Sequence, residues 1–259
     1  MDVVRLSHQA RTPHLGSSLS CVDMIAALYF EGFLKHRPSQ PDWEERDLFF
    51  LSKGHAVTTL YAALARSGYF NVEHLFERYF EEGGPYPEHP APNALPGIEF
   101  ATGSLGHGLS VATGAALANK MSGRGSRVFA LLSDGECNEG STWEAAMWAG
   151  AQGSLRICAM VDFNKWQATG RSAEVMALEP FEDKFRACGW RVARIDGNNP
   201  EAVGRALSVF ENDDSSPLAI IADTVKGKGI SFMEDDNNWH YRIPTEEEVG
   251  KAKQELGLC

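Results

Sequence analysis

The chain has 259 residues, 43% of them hydrophobic, and a formal net charge of −11 at pH 7. This length suits one large α/β domain or two small ones, and the acidic balance argues against nucleic acid as a partner, because nucleic-acid-binding surfaces are basic. Since no apolar run approaches the roughly 18 residues of a membrane span and the N-terminus lacks a secretory apolar region, we expect no membrane association and a cytoplasmic location.

The first elements are short and separated by turns. Residues 1–11 form a partly apolar lead, and residues 12–18 (TPHLGSS) form a turn, after which Ser18 or Ser20 is expected to cap a helix. The apolar run 48–51 predicts a strand that ends in Ser52-Lys53-Gly54-His55, with a helix over residues 56–66.

A proline-rich loop and a glycine string follow. Residues 81–97 contain Pro85, Pro87, Pro90, Pro92 and Pro96 around His89, which excludes a helix or a central strand. Long loops of this kind inside compact domains are usually functional. Residues 101–108 (ATGSLGHG) precede a small-residue helix over 109–119, and their glycines would let the backbone approach a ligand.

The centre of the chain reads as strand, helix and strand. The apolar runs 128–132 and 157–161 flank a predicted helix at 141–151, the arrangement of a parallel βαβ unit. Asp134 and Asn164 follow the two strands, so their oxygens are expected to meet at the carboxyl edge of the sheet. Hard oxygen ligands suit Mg²⁺ with a phosphate ester, although ordinary loops of such a sheet would give the same pattern.

The rest of the chain continues the alternation. Helices are predicted at 181–188 and 200–210 and strands at 191–196 and 218–222, and Thr245 with Glu248 predicts a capping box before a last helix. We therefore expect a single domain over residues 1–259, an α/β fold with a doubly wound parallel sheet and helices on both faces.

The histidines and cysteines limit the chemistry. His14, His55, His89 and His240 lie in turns that would face the carboxyl edge, and without HxxxH or HExxH spacing they do not predict zinc. Such imidazoles suit hydrogen bonds to hydroxyl groups and proton transfer near neutral pH. Five cysteines without CxxC or zinc spacing indicate free thiols in a reducing compartment: Cys21, Cys137, Cys158, Cys188 and Cys259.

These motifs, in this order, resemble the thiamine diphosphate-binding half of transketolases over almost the whole chain. Ser133-Asp134-Gly135 resembles the GDG motif of the family, and Asn164 follows Asp134 by 30 positions (164 − 134). The segments TPHLGS (12–17), LSKGH (51–55), PEHP (87–90) and ATGSLGHG (101–108) resemble the SGHPG, LSxGH, GHP and TTGPLGQG segments of the family, and His240 matches a late histidine.

The resemblance implies roles for individual residues. Asp134, the Asn164 side chain and the backbone oxygen of Trp166 would bind the Mg²⁺ of thiamine diphosphate. His14, His89 and His240 would act on the substrate. The remaining implied cofactor-binding residues, beside Asn164 and His240, are His55, Gly103, Ser104, Leu105, Gly135 and Glu136.

The resemblance also implies an activity and a partner. The enzyme would transfer a two-carbon glycolaldehyde unit from a ketose or ketose phosphate to an aldose. The family's second half carries the glutamate that activates the cofactor, so this chain resembles the N-terminal subunit of a split transketolase. We expect it to be inactive without a C-terminal-type subunit, with which it would form a heterotetramer.

Three departures and two alternatives accompany this interpretation. Ser133 replaces the first glycine of GDG, TPHLG replaces SGHPG, and the lead is short, which indicates a specialised relative. A 2-oxo acid decarboxylase, acyloin-forming or dehydrogenase-type subunit is the first alternative, although His14 and His89 favour a polyol donor. A non-catalytic relic is the second, although Asp134, Asn164, His55 and His240 are intact.

Overall fold

A five-stranded parallel sheet forms the centre of the protein in a computed structural model, which describes residues 1–91, 95–213 and 215–258. The strands are β1 (Leu48–Leu51), β2 (Val128–Ser133), β3 (Ile157–Phe163), β4 (Arg191–Asp196) and β5 (Leu218–Asp223), in the order β1-β2-β3-β5-β4. All their carboxyl ends therefore lie at one edge, where Ser133 pairs with Asp162 and Phe163 with Asp223.

Helices cover the sheet and its carboxyl edge. They are α1 (Asp2–Ala10), α2 (Leu15–Ser20), α3 (Val22–Phe30), α4 (Val57–Arg66), α5 (Val72–Arg78), α6 (Gly108–Met121), α7 (Gly140–Ala151), α8 (Ser172–Val175), α9 (Phe181–Ala187), α10 (Pro200–Asn212) and α11 (Glu246–Glu255).

Alternating strand residues build two cores. Phe129 and Leu131 point to the face covered by α3, α4 and α10, whereas Val128, Ala130 and Leu132 point to the face covered by α6, α7 and α9. Because both faces are buried there, the central strands β2, β3 and β5 are largely apolar, whereas the edge strand β4 (RVARID) is only partly buried.

A third apolar cluster fixes the C-terminal loop beside the sheet edge. The side chain of Trp239 is fully buried and packs with Leu15 of α2, Val4 of α1 and Ala252 of α11. This packing carries the neighbouring His240 to the N-terminal turn that contains His14, and the backbone N–H of His14 donates to the carbonyl of His240 across 2.8 Å.

Most predicted elements are confirmed, but the capping expectation is wrong. α2 begins at Leu15 after His14, and α3 follows Cys21, with neither Ser18 nor Ser20 capping a helix. The Ser20 hydroxyl instead donates to the buried Asp162 carboxylate across 2.6 Å, a charge-assisted hydrogen bond that orients the side chain toward the sheet edge. The Thr245–Glu248 capping box is confirmed.

The expectations about the cysteines and membrane spans can be compared with the structure only for the described residues. Cys21, Cys137, Cys158 and Cys188 are free thiols, whereas Cys259 and Pro92 lie outside the described part of the chain. Across the described ranges, no helix combines the length and apolar character required to cross a membrane.

Candidate active site

A cleft of about 330 Å³ opens at the carboxyl ends of β1, β2 and β3. This is near the lower end of the usual size for ligand pockets, which is roughly 300–1,000 Å³. Its lining includes Lys53, His55, Ser133, Asn164, Trp166 and His240. These residues come from the ends of three neighbouring strands and from the C-terminal loop, so the fold brings both predicted turns and two of the predicted histidines to one place.

Asn164 lines this cleft, and Asp134 is hydrogen-bonded to the turn that follows Asn164. The fully buried Asp134 carboxylate accepts hydrogen bonds from Ser172 Oγ at 2.6 Å, from the Gly135 N–H at 3.0 Å and from the Lys165 N–H at 3.1 Å. Asn164 Oδ1 accepts from the Trp166 N–H at 3.0 Å. The carboxylate is thus held against the backbone of the turn that carries Asn164.

This donor set fits a divalent cation bound with a phosphate ligand. In the described part of the chain, Asp134 receives hydrogen bonds from neutral donors only, and its burial raises the pKa of the carboxyl to about 6. A cation would neutralise this buried charge. No three His, Cys, Asp or Glu side chains cluster among the described residues, and the Asn164 amide oxygen and the Trp166 carbonyl stay the predicted further ligands.

A buried hydrogen-bond network orients Asn164. Asp162 is fully buried and accepts hydrogen bonds from Lys53 and Thr224, as well as from Ser20 and from Asn164 Nδ2 at 3.3 Å. Because Asn164 Nδ2 donates into this network, its Oδ1 is left on the other side, toward the Trp166 turn. Sequence reasoning missed Lys53 and Asp162, although Lys53 lies inside the LSKGH segment and Asp162 lies two residues before Asn164.

Glu136 lies behind the turn. Its buried carboxylate accepts from Ser52 and from the Gly106 N–H at 2.9 Å, and it also contacts the Ser133 N–H at 3.4 Å. The glutamate therefore joins the β1 end and the glycine string to the Ser133–Gly135 turn. Direct contact between Glu136 and a cofactor stays a prediction.

The four predicted histidines form one cluster. The ring centroids of His14 lie 4.7 Å from His55, 5.1 Å from His240 and 6.2 Å from His89, and His55 and His89 are 4.9 Å apart. His14 adopts a left-handed backbone conformation with φ of 68°. His107 of the glycine string is exposed and hydrogen-bonds the Leu105 carbonyl, outside the cluster.

Lys226 completes the cluster and was not assigned from the sequence. This fully buried lysine follows β5, and its Nζ lies 2.7 Å from Asn237 Oδ1 and 3.2 Å from His240 Nδ1. The signal that could have found it is the Lys226-Gly227-Lys228-Gly229 turn, because a lysine there lies at the same carboxyl edge as the other turns.

Burial favours the neutral forms of His14, His55 and His240. Burial, then the neighbouring His55 and His240, lower the pKa of His14 to about 3. Burial together with His89 lowers the pKa of His55 to about 4, and burial together with Lys226 lowers that of His240 to about 4. Burial lowers the pKa of Lys226 to about 8. Near neutral pH these imidazoles are therefore neutral hydrogen-bonding groups.

The glycine string contributes a close backbone approach. Leu105 lines the cleft, Ser104 is exposed, and Gly103 (φ +140°) packs on the His89 ring so tightly that a Cβ would lie 2.8 Å from Cδ2. Gly54 lies beneath this segment, and a Cβ there would lie 2.7 Å from the Gly103 nitrogen. The two glycines thus let the string lie beside His55 and His89.

Comparison with known proteins identifies the relatives. The family described as "Transketolase, thiamine diphosphate binding domain" matches residues 1–259. The chain is 42% identical over 243 residues to the 6-deoxy-6-sulfo-D-fructose transketolase subunit SqwG of Clostridium sp. (strain MSTE9), covering 94% of this chain and 88% of that protein. It is 38% identical over 255 residues to an apulose-4-phosphate transketolase subunit from Phocaeicola vulgatus, covering 98% and 89%.

Solved structures agree with the fold. The transketolase of Campylobacter jejuni superposes with a TM-score of 0.92 at 30% identity, covering 98% of this chain and 41% of that enzyme. This chain therefore spans about two fifths of that transketolase and most of the two relatives that are themselves named as subunits.

Proposed function

This chain belongs to the transketolase family, and we propose that it is the thiamine diphosphate- and Mg²⁺-binding subunit of a two-component transketolase, with residues 1–259 as one domain. The pairing of the Asp134 and Asn164 turns beside four clustered histidines is the observation that carries this proposal. The two named relatives, which this chain matches over 88% and 89% of their lengths, are transketolase subunits by name, which supports the two-component interpretation.

The base of the cleft would hold the charged end of the cofactor. Asp134, Asn164 Oδ1 and the Trp166 carbonyl would bind Mg²⁺ together with diphosphate oxygens, and Gly135 would let the backbone approach a phosphate. Gly103, Ser104 and Leu105 would lie along the aminopyrimidine ring. When bound, thiamine diphosphate supplies a thiazolium C2 carbanion that can accept and release a two-carbon ketol unit.

The histidine cluster would handle the hydroxyl groups of the sugar. The imidazoles of His14 and His89 would accept a proton from a donor hydroxyl and return it, and His240 would hydrogen-bond both the cofactor and the substrate. His55 would contact the cofactor. The low pKa values of His14, His55 and His240 favour this neutral state through the pH range of most enzymes.

The other half of the site would come from a partner. A C-terminal transketolase-type subunit would supply the glutamate that activates the cofactor and contacts for a sugar or sugar phosphate, in a cytoplasmic heterotetramer. The named relatives act, by their names, on a sulfonated fructose and on apulose 4-phosphate, so ketoses of both kinds are the donors to test.

The decisive experiment mixes the purified chain with a second-half-type partner, thiamine diphosphate, Mg²⁺, an aldose phosphate and one donor. We expect ketol transfer from a ketose phosphate or sulfonated ketose with both subunits present, none with either of them alone, and none with an Asp134→Ala chain. Turnover by the isolated chain would overturn the two-component assignment. Turnover of pyruvate in preference to every ketose would overturn the transketolase reaction in favour of a 2-oxo acid enzyme.

A further inference from the structure

Three side chains join two loops at the mouth of the cleft, and we call them the interlock: Trp166, Arg171 and Asp235. The Arg171 guanidinium donates to both Asp235 oxygens at 2.6 Å each, and the Trp166 indole N–H donates to Asp235 Oδ1 at 2.8 Å. The guanidinium also lies 3.7 Å from the centroid of the indole ring. The Arg171 guanidinium and the indole ring on which it stacks therefore both donate to the Asp235 carboxylate.

The first loop is a tight hairpin after Asn164. Trp166 and Arg171 form an antiparallel bridge, the Gln167 N–H donates to the Gly170 carbonyl at 2.9 Å, and the Ser172 N–H donates to the Lys165 carbonyl at 3.1 Å. The hairpin carries the Trp166 carbonyl, the proposed metal ligand, at its base.

The second loop carries His240. Asp235 has a left-handed backbone (φ 58°), and its N–H donates to the Lys226 carbonyl at 2.8 Å. Asn237 donates from Nδ2 to the Ala168 carbonyl of the hairpin at 3.2 Å and accepts from Lys226 Nζ. A continuous set of contacts thus runs from the hairpin through Asp235 and Asn237 to the Lys226–His240 pair.

We propose that Asp235 is a positioning residue that couples the metal turn to the His240 loop. The proposal rests on the proposed function, in which the Trp166 carbonyl would bind the metal and His240 would contact the cofactor and the substrate. Neither loop belongs to the sheet, so side-chain contacts between the loops add to the packing of Trp239 in setting their relative position. A lone exposed ion pair contributes little, whereas one carboxylate that accepts from a guanidinium at two points and from an indole restricts both loops at once.

Hydrogen exchange of the assembled two-subunit enzyme tests this coupling. In the wild type, thiamine diphosphate with Mg²⁺ should slow exchange in both residues 164–171 and residues 231–241. In Asp235→Ala, the ligand should still protect residues 164–171 from exchange. Its protection of residues 231–241 should be about fivefold weaker than in the wild type, the factor that corresponds to one net hydrogen bond. Equal protection of 231–241 in the variant and the wild type would overturn the proposal.

Two further variants separate positioning from folding. Trp166→Phe keeps the backbone carbonyl and an aromatic ring but removes the indole N–H, and it should give an intermediate loss of protection. If Asp235→Ala does not fold, the loss of protection in Trp166→Phe tests the coupling instead. Asp183→Ala removes the exposed Asp183–Arg186 pair of α9, which joins no loops, and it should leave both segments at wild-type protection.

Exchange without ligand keeps the two proposals distinguishable. If the wild-type assembly does not bind thiamine diphosphate, the proposed function fails, yet the interlock still predicts about fivefold faster exchange of 231–241 in unliganded Asp235→Ala. If the wild type binds the cofactor and the unliganded variant exchanges at the wild-type rate, the interlock alone is wrong.

Discussion

The backbone N–H of His14 donates to the backbone carbonyl of His240 across 2.8 Å, and their imidazole centroids lie 5.1 Å apart. The two rings are therefore held by main chain as well as by side-chain packing, with the buried Trp239 next to His240 anchoring one side. Substituting either imidazole should leave the backbone link in place, so that effects of the ring itself can be measured.

The first prediction concerns acid stability. The folded-state pKa values of His14 (about 3) and of His55 and His240 (about 4) lie below the ordinary value of 6.5, so the unfolded chain binds more protons as the pH falls from 6.5 toward about 3. Their contribution to the free energy of unfolding is complete above pH 6.5 and is lost across that window. Urea denaturation of the isolated chain between pH 7 and pH 4.5 would measure it.

The comparison must be made between variants, because burial raises the pKa of Asp134 and Glu136 and so gives a slope of the opposite sign. His14→Asn should be less destabilised by acid than the wild type. His107→Asn, which changes an exposed histidine, should follow the wild-type curve. Parallel curves for His14→Asn and the wild type would contradict the prediction.

Lys226→Met should raise the pKa of His240. The positive charge of Lys226 is the largest cause of the low His240 pKa after burial, and methionine keeps much of the stem that packs against Gly16. We expect a rise on the order of one unit, measured by NMR titration of the imidazole. Lys226→Arg retains a charge and should change the pKa less; an unchanged His240 pKa in the methionine variant would show that the lysine does not act on it.

Gly54→Ala should destabilise the chain because a Cβ at this position would meet backbone atoms of Gly103 and Thr102 at 2.7 and 2.8 Å. Backbone cannot rotate aside, so we expect a loss of about 1–3 kcal/mol. Gly114→Ala in α6 is the matched control, since its Cβ would meet no atom within 4 Å and alanine favours a helix. The thermal denaturation midpoint should fall in Gly54→Ala and rise in Gly114→Ala.

Asp134→Asn should remove Mg²⁺-dependent binding of thiamine diphosphate while preserving the fold. The amide keeps an oxygen for the Ser172 and Lys165 donors but loses the charge that a cation requires. Calorimetric titration of the two-subunit enzyme should show affinity weakened by more than about 100-fold, since even outer-shell changes cost 10–100-fold. Wild-type affinity in this variant would exclude Asp134 as a metal ligand, and Asp183→Asn controls for the change in net charge.

Local pattern was sufficient for the strands and for the main turns. The strands predicted at 48–51 and 191–196 have the observed bounds of β1 and β4, and the spacing of Asp134 and Asn164 follows from one βαβ unit. Local pattern could not predict the role of a side chain that is hydrogen-bonded to a residue far away in the sequence. Serine is a common N-cap residue, but the Ser20 hydroxyl donates a hydrogen bond to Asp162, which is remote in sequence.

Buried charge was equally hard to foresee. Lys226 follows β5 in a glycine-rich turn that is typical of a solvated loop, and its burial depends on packing of the Trp239 loop against α2. The Trp166–Asp235 contact likewise joins segments that no sequence periodicity relates. Such contacts arise from tertiary packing and are accessible only once the topology is known.

The buried Asp162 carboxylate has a consequence for how this domain can diversify. It accepts hydrogen bonds from Lys53 after β1, from Thr224 after β5 and from Ser20 in α2, so three separate stretches of sequence supply donors to one side chain. Exchange of segments between relatives should yield folded chimeras when all three stretches come from one parent. Crossovers that divide them should accumulate in the insoluble fraction wherever the parents differ at these positions.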